Sequence, residues 1–243
     1  MPREVSAVIE RVAALGAGVF EIGLKLGESP PSFLPGQYLL VIDPSGARIA
    51  FSIASPPQAL PDLVLHYRPT PGSDDAQRID RLLKTSKTLS LELPHGDCGV
   101  SLPLTRPLIL IAGGTGVSQA RSIALALAED ATAPIHLYWG GGTAAALYAR
   151  EEFDDLATRA EHFNWTGAVE APTHGLRTGT AAQVVTEDVA AGRLDLDQSD
   201  VLLCGGPPMV WGTVSALRAI GLAEARTRSD VFSYAPRDDL WTD

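Results

Sequence analysis

Leu108-Ile109-Leu110-Ile111-Ala112-Gly113-Gly114-Thr115-Gly116-Val117-Ser118 decides how this chain folds. Its first five residues are apolar without alternation, which reads as a strand buried on both faces. The glycines end that strand, and Ser118 to Glu129 has the spacing of a helix. A strand, a glycine-rich turn and a helix in that order open a βαβ unit. Glycines there let the backbone approach a diphosphate, and a helix N-terminus offers free N–H groups and a favourable dipole. Such a turn can equally be a tight connection.

Downstream the alternation continues. Strands are expected at Ile135 to Trp139, Trp165 to Val169 and Val201 to Cys204, and helices at Ala144 to Ala160, Thr180 to Ala191 and Pro208 to Ile220. This is the pattern of a parallel sheet covered on both faces. Cys204-Gly205-Gly206-Pro207-Pro208-Met209 repeats the first motif: an apolar strand, glycines, then a helix opened by proline. Two glycine turns at carboxyl ends of strands favour a nucleotide site over two coincidental connections.

Upstream the pattern is different. Short strands are expected at Val5 to Leu15, Val19 to Leu26, Gln37 to Ile42, Ile49 to Ala54, Leu63 to Tyr67 and Thr88 to Leu93. Proline- and glycine-rich turns separate them, and one helix, Asp74 to Leu83, interrupts them. Strands at such spacing predict a closed antiparallel barrel. The fold class is therefore two-domain, with an N-terminal antiparallel β-barrel over residues 1–103 and a C-terminal α/β parallel sheet over 104–243. The tail 236–243 is polar and expected to be loose.

Composition narrows the function. Of 243 residues, 45% are hydrophobic and 20% charged, enough for two cores. The net charge is −10, from 19 basic and 29 acidic side chains, which argues against a nucleic-acid partner. No apolar run approaches a membrane span, so no membrane partner is expected. Cys98 and Cys204 are the only cysteines, too few for a four-cysteine zinc or iron–sulfur site, and no metal is expected. A cysteine-poor chain without an apolar leader suits the cytoplasm.

Pro35-Gly36-Gln37-Tyr38, Phe51-Ser52-Ile53-Ala54-Ser55, Pro94-His95-Gly96, the Gly113 to Ser118 turn, Tyr138-Trp139-Gly140-Gly141, Arg177-Thr178-Gly179-Thr180 and the Cys204 to Met209 turn follow one another in this order. The series resembles the ferredoxin–NADP reductase superfamily over roughly residues 5 to 235, and its bacterial NAD(P)H:flavin oxidoreductases in particular. The resemblance implies a flavin (FAD, FMN or riboflavin) on the barrel and NADH or NADPH on the sheet. It implies hydride transfer from nicotinamide C4 to flavin N5, with Ser52 beside N5 and Cys204 near the nicotinamide. Arg48, Phe51, Ile53, Ala54, His66, His95 and Gly96 are the further flavin-side candidates. Gly113, Gly114, Thr115, Gly116, Gly205, Pro207 and Met209 are the nucleotide-side ones, and Phe232 of Asp230-Val231-Phe232 would close the pocket.

Three positions depart from the family pattern. The flavin arginine stands three residues before the serine in relatives; here Ile49 holds that place and Arg48 lies one residue earlier. A one-residue offset points the side chain to the other face unless a bulge restores it. Asp74 and Asp75 open the barrel helix, where they would repel a flavin diphosphate and so favour flavin that comes and goes. Gly142 follows Gly141 where relatives carry an arginine for a 2′-phosphate, which favours NADH. Three readings stand: a flavin reductase that releases reduced flavin, an FAD-retaining component that passes electrons to a protein acceptor, or a weakened nucleotide-binding subunit.

Overall fold

The computed structural model describes residues 1–241. Strands β1 (Arg3–Gly16), β2 (Val19–Leu26), β3 (Tyr38–Ile42), β4 (Arg48–Ser52), β5 (Asp62–Tyr67) and β6 (Thr88–His95) form an antiparallel sheet in the order β4-β3-β6-β1-β2-β5. Its two edges meet through an Ile53–Leu65 bridge and an Ala54 N–H to Val64 carbonyl bond of 2.8 Å, which closes the barrel. β4 and β6 alternate between exposed and buried residues, so one face of each fills the barrel core. Helix α1 (Asp74–Thr85) joins β5 to β6. Ser73 caps it by accepting from the Ala76 N–H, and Ala76, Ile79 and Leu82 are its buried face.

The second sheet is parallel: β7 (Leu108–Gly113), β8 (Ile135–Gly141), β9 (Phe163–Val169), β10 (Arg177–Thr178), β11 (Asp200–Cys204) and β12 (Thr227–Arg228), in the order β10-β9-β8-β7-β11-β12. Helices α2 (Val117–Leu127), α3 (Arg150–Arg159), α4 (Ala181–Ala190), α5 (Pro207–Leu217) and α6 (Val231–Tyr234) complete the domain. The unbroken apolar run of β7 has its reason here. Leu108, Leu110 and Ala112 join a core with Ile123 of α2 and Phe153 of α3. Ile109 and Ile111 join another with Val184 of α4 and Val214 of α5. Among the described residues no helix is long and apolar enough to cross a membrane.

Three details differ from the expected pattern. The strands β10 and β12 are two residues each, too short to show a period. The expected helix over 144–160 is a 3-10 turn at Ala144–Ala146 followed by α3, because Leu147 leaves helical geometry at φ −90° and ψ 58°. The tail 236–243, expected to be loose, is docked as far as it is described: Arg218 donates to the Leu240 carbonyl at 2.8 Å, and Trp241 meets Phe232 edge-on at 6.0 Å. Residues 242 and 243 lie outside the described residues.

Candidate functional site

In the parallel sheet β7 lies between β8 and β11, so the chain leaves it toward one side first and later occupies the other. The carboxyl ends of strands at such a switch point open a crevice. Both glycine turns stand there, one after β7 and one after β11. The barrel faces them across a cleft of about 670 Å³, lined by Ser52, His66, Arg68 and Tyr38 on the barrel side and by Gly113, Thr115, Gly205 and Asp230 on the sheet side. That volume suits a bound small molecule or cofactor.

The two turns pack on each other. A Cβ on Gly116 would stand 2.2 Å from the Cys204 carbonyl oxygen, and one on Gly113 or Gly205 would meet Met209 at 2.8 or 2.9 Å. Gly116 is thus required by turn-to-turn packing. Gly114 is different: its φ is +54°, and the nearest atoms to an added Cβ are those of the Arg68 guanidinium at 3.8 Å. Trp139 donates to the Gly114 carbonyl at 3.0 Å and fixes the turn from behind.

On the barrel wall Ile49, Ala50, Phe51 and Ser52 all line the cleft. Ile53 and Ala54 do not; both are fully buried beneath it. Arg48 does not reach the cleft either. Pairing between β3 and β4 runs from Tyr38–Ser52 to Ile42–Arg48 without a bulge. Arg48 therefore shares a face with Ala50 and Ser52 but stands at the far end of β4, where its guanidinium is paired with Glu92 and Glu4. The cation that does line the cleft is Arg68, just past β5, which makes no hydrogen bond or ion pair among the described residues. Tyr67-Arg68 at the end of an expected strand was the available signal for it.

Several candidates support the cleft from behind. His95 stacks on Tyr38, with ring centroids 5.5 Å apart, and its Nε2 lies 2.8 Å from Glu92. Gly96 has φ +88°, and a Cβ there would meet Asp230 and the Tyr38 ring at 2.8 Å. Cys204 is fully buried, and burial pushes its thiol well above the usual range, so it is no thiolate at neutral pH. Pro207 opens α5, and Met209 fills the space between the glycine turns. Phe232 packs on Trp211 at 4.9 Å and does not line the cleft; Tyr234, 62% exposed, does.

Asp230 is the acidic group on the sheet side of the cleft. It accepts from Gln119 at 2.7 Å, and burial raises its carboxyl above the usual range despite bonds from Gln119 and Cys98. An apolar wall at Phe51 and Ile49, a hydroxyl at Ser52, an unpaired cation at Arg68 and glycine backbone opposite fit a flat ring system carrying polar edges and phosphate. Asp75, which lines the same end, is drawn to Arg78 at 3.3 Å, so it is not a bare charge.

A closed barrel and a parallel sheet sharing one cleft at the switch point define a two-domain oxidoreductase of the ferredoxin-reductase type. Residues 110–215 match the family described as the oxidoreductase NAD-binding domain. The chain is 33% identical over 209 residues to the NAD(P)H-flavin reductase of Vibrio harveyi, covering 83% of this chain and 86% of that relative. It is 30% identical over 235 residues to reductase component 1 of terephthalate 1,2-dioxygenase from Comamonas, covering 93% of this chain and 66% of that relative. The Amycolatopsis cytochrome P450 reductase GcoB superposes with a TM-score of 0.83 at 28% identity, over 94% of this chain and 69% of its own. The chain belongs to the NAD(P)H-flavin reductase family.

Proposed function

We propose that this chain is an NAD(P)H:flavin oxidoreductase. The carrying observation is a cleft to which both domains contribute, with Ser52 on the barrel side and the two glycine turns on the other. When both are bound, the nicotinamide and the flavin supply the chemistry, transfer of a hydride from C4 to N5. The chain's work is to hold two flat rings together and exclude water. Ser52 offers a hydroxyl at the ring wall. Thr115 and Gly205 present backbone to the dinucleotide, and Arg68 is available to phosphate on either ligand.

The second reading is an FAD-retaining reductase that passes electrons to a protein acceptor. Its support is the likeness to the terephthalate dioxygenase component and to the P450 reductase, of which the chain spans 66% and 69%. Both cysteines are free thiols, which accords with a reducing cytoplasm. The test is NADH oxidation by dialysed protein with and without riboflavin. Turnover that requires riboflavin supports the first reading. Protein that stays yellow and reduces an acceptor without added flavin supports the second. Binding without any turnover supports a non-catalytic subunit.

A further inference from the structure

Gln119 stands in the first turn of α2 and is 4% exposed, yet it lines the cleft. Its Nε2 donates twice, to the Gly36 carbonyl of the barrel at 2.7 Å and to Asp230 Oδ2 at 2.7 Å. Its Oε1 has no partner among the described residues and is not sealed from solvent. The space it opens on is the cleft.

The two bonds fix which way the amide is turned. The Gly36 carbonyl can only accept, so the side-chain atom facing it must be the nitrogen. Turned over, the amide would set one oxygen against another at hydrogen-bond distance. Both protons of Nε2 are therefore used within the protein. What remains for a ligand is Oε1, an acceptor held in one orientation and reached by little water. A ligand that covers such an oxygen without a donor of its own loses that bond.

Its neighbours say which part of a ligand arrives there. Gln119 follows the first glycine turn by three residues, on the sheet side. Asp230, its second partner, lies beside Tyr38, since a Cβ on Gly96 would meet both at 2.8 Å. Tyr38 in turn pairs with Ser52 in the register of β3 and β4. The free oxygen thus stands between the glycine turn and the barrel wall at Ser52. We infer that Gln119 Oε1 accepts a hydrogen bond from the carboxamide N–H of the nicotinamide. The inference rests on the cleft being the flavin and nicotinamide site. The carboxamide is borne by the ring carbon next to C4, so holding it sets how C4 faces the flavin. The imide N–H of a flavin stands across its ring system from N5. Gln119 becomes a specificity-determining residue for the reacting end of the nucleotide, turned by a carbonyl of the other domain.

The test uses whole protein, NAD⁺ and 3-acetylpyridine adenine dinucleotide, in which a methyl ketone replaces the carboxamide and the N–H is lost. Wild-type protein should bind NAD⁺ roughly tenfold more tightly than the analogue. Gln119→Met keeps the length of the side chain and removes the acceptor. It should weaken NAD⁺ roughly tenfold, leave the analogue nearly unchanged and so abolish the preference. A merely structural role for Gln119 would weaken both nucleotides alike and keep the preference, and that result overturns the inference. So does equal binding of the two by wild type, or a loss in Gln119→Met that falls on riboflavin and spares NAD⁺. If Gln119→Met does not fold, NMR of wild-type protein with NAD⁺ decides: a nuclear Overhauser contact between the carboxamide protons and the Gln119 side chain supports the inference, and its absence overturns it. Wild-type protein that binds neither nucleotide overturns the flavin-reductase reading, and the inference with it.

Discussion

Arg121 on α2 donates to the backbone oxygen of Ala54 at 2.6 Å, and so joins the parallel-sheet domain to the end of the barrel strand that lines the cleft. The same guanidinium grips Glu152 of α3 with two bonds of 2.6 Å. Neighbours on α2 repeat the contact: Ser122 donates to the Ser55 carbonyl at 2.8 Å and Gln119 to the Gly36 carbonyl at 2.7 Å. One helix thus sets the angle between the domains, and with it the distance between the two walls of the cleft.

R121A removes three charge-assisted bonds and leaves a buried carbonyl without a donor. It should lower the unfolding free energy by about 2 kcal/mol, read by urea denaturation. Turnover should fall further than that loss implies, because the two rings are no longer held in register. R121K keeps the charge but not the fork, so it should rescue stability only in part. A variant as stable and as fast as wild type would show that α2 does not govern domain orientation.

Ser52 pairs with Tyr38 in the register of β3 and β4, which puts its hydroxyl on the cleft wall. A hydroxyl contact that strengthens as the reacting atom changes charge acts on turnover more than on binding. S52A should lower kcat roughly tenfold while changing riboflavin affinity less. Stopped-flow reduction of bound flavin by NADH separates the two. Equal rates in mutant and wild type would remove Ser52 from the reaction.

Gly116 has an ordinary backbone, so an alanine there is excluded by space alone. Its Cβ would lie 2.2 Å from the Cys204 carbonyl and 2.8 Å from the Gly205 Cα, both backbone atoms with little room to move. G116A should push the two turns apart, cost about 2 kcal/mol or more of stability and abolish nicotinamide binding. G142A, at a glycine with nothing within 4 Å of an added Cβ, is the matched control and should leave both unchanged. Thermal melting and NAD⁺ titration check the pair.

Both domains were legible because their periods differ. The continuous run of β7 and the alternation of β4 each state how many faces are buried, and that is a property of the sequence itself. The Arg121 bonds to Ala54 and Glu152 and the His66–Tyr148 contact were not legible. Arg48 was drawn from the cleft by Glu92, a residue brought beside it only by the register of β3 and β6. Phe232 was expected at the cleft but packs between Trp211 and Trp241, which are distant in the chain on either side. Tyr148 falls inside what reads as a helix, and only the break at Leu147 turns it toward His66. Long-range partners decide each case, and no local period encodes them.

His136 on β8 stacks on Tyr138 at 4.3 Å and bonds Thr166 at 3.1 Å, outside the lining of the cleft. Burial lowers its pKa to about 4, with Asp188 opposing the shift. The unfolded chain, with histidine near 6.5, then binds more protons than the folded one between these values. Stability from this group is full above about pH 6.5 and is lost as pH falls toward 4. From pH 7 to pH 5 the loss should be about 2 kcal/mol. His66 adds a loss of the same sign down to about 3. H136N should therefore lose less stability than wild type over this interval in urea titrations at the two pH values. Parallel losses would mean that His136 is already protonated in the folded protein.

β8 ends at Gly141, and Gly142 follows at the carboxyl edge of the sheet. No atom lies within 4 Å of a Cβ added to Gly142, so a long side chain fits there without strain. As the chain stands, neither Gly142, Thr143 nor the alanines after it offer a cation to a 2′-phosphate, and Arg150 comes only at the start of α3. The protein should accordingly prefer NADH. G142R supplies the missing charge beside the nucleotide turn, where a charge-assisted bond to phosphate contributes about 1 to 2 kcal/mol. The ratio of kcat/KM for NADPH to that for NADH should rise roughly tenfold, with kcat for NADH little changed because the new side chain lies away from the reacting rings. High salt should reduce the gain, since the contact is exposed. If G142R leaves the ratio where it was, the adenosine ribose does not lie at this edge, and the cofactor preference is set elsewhere in the cleft.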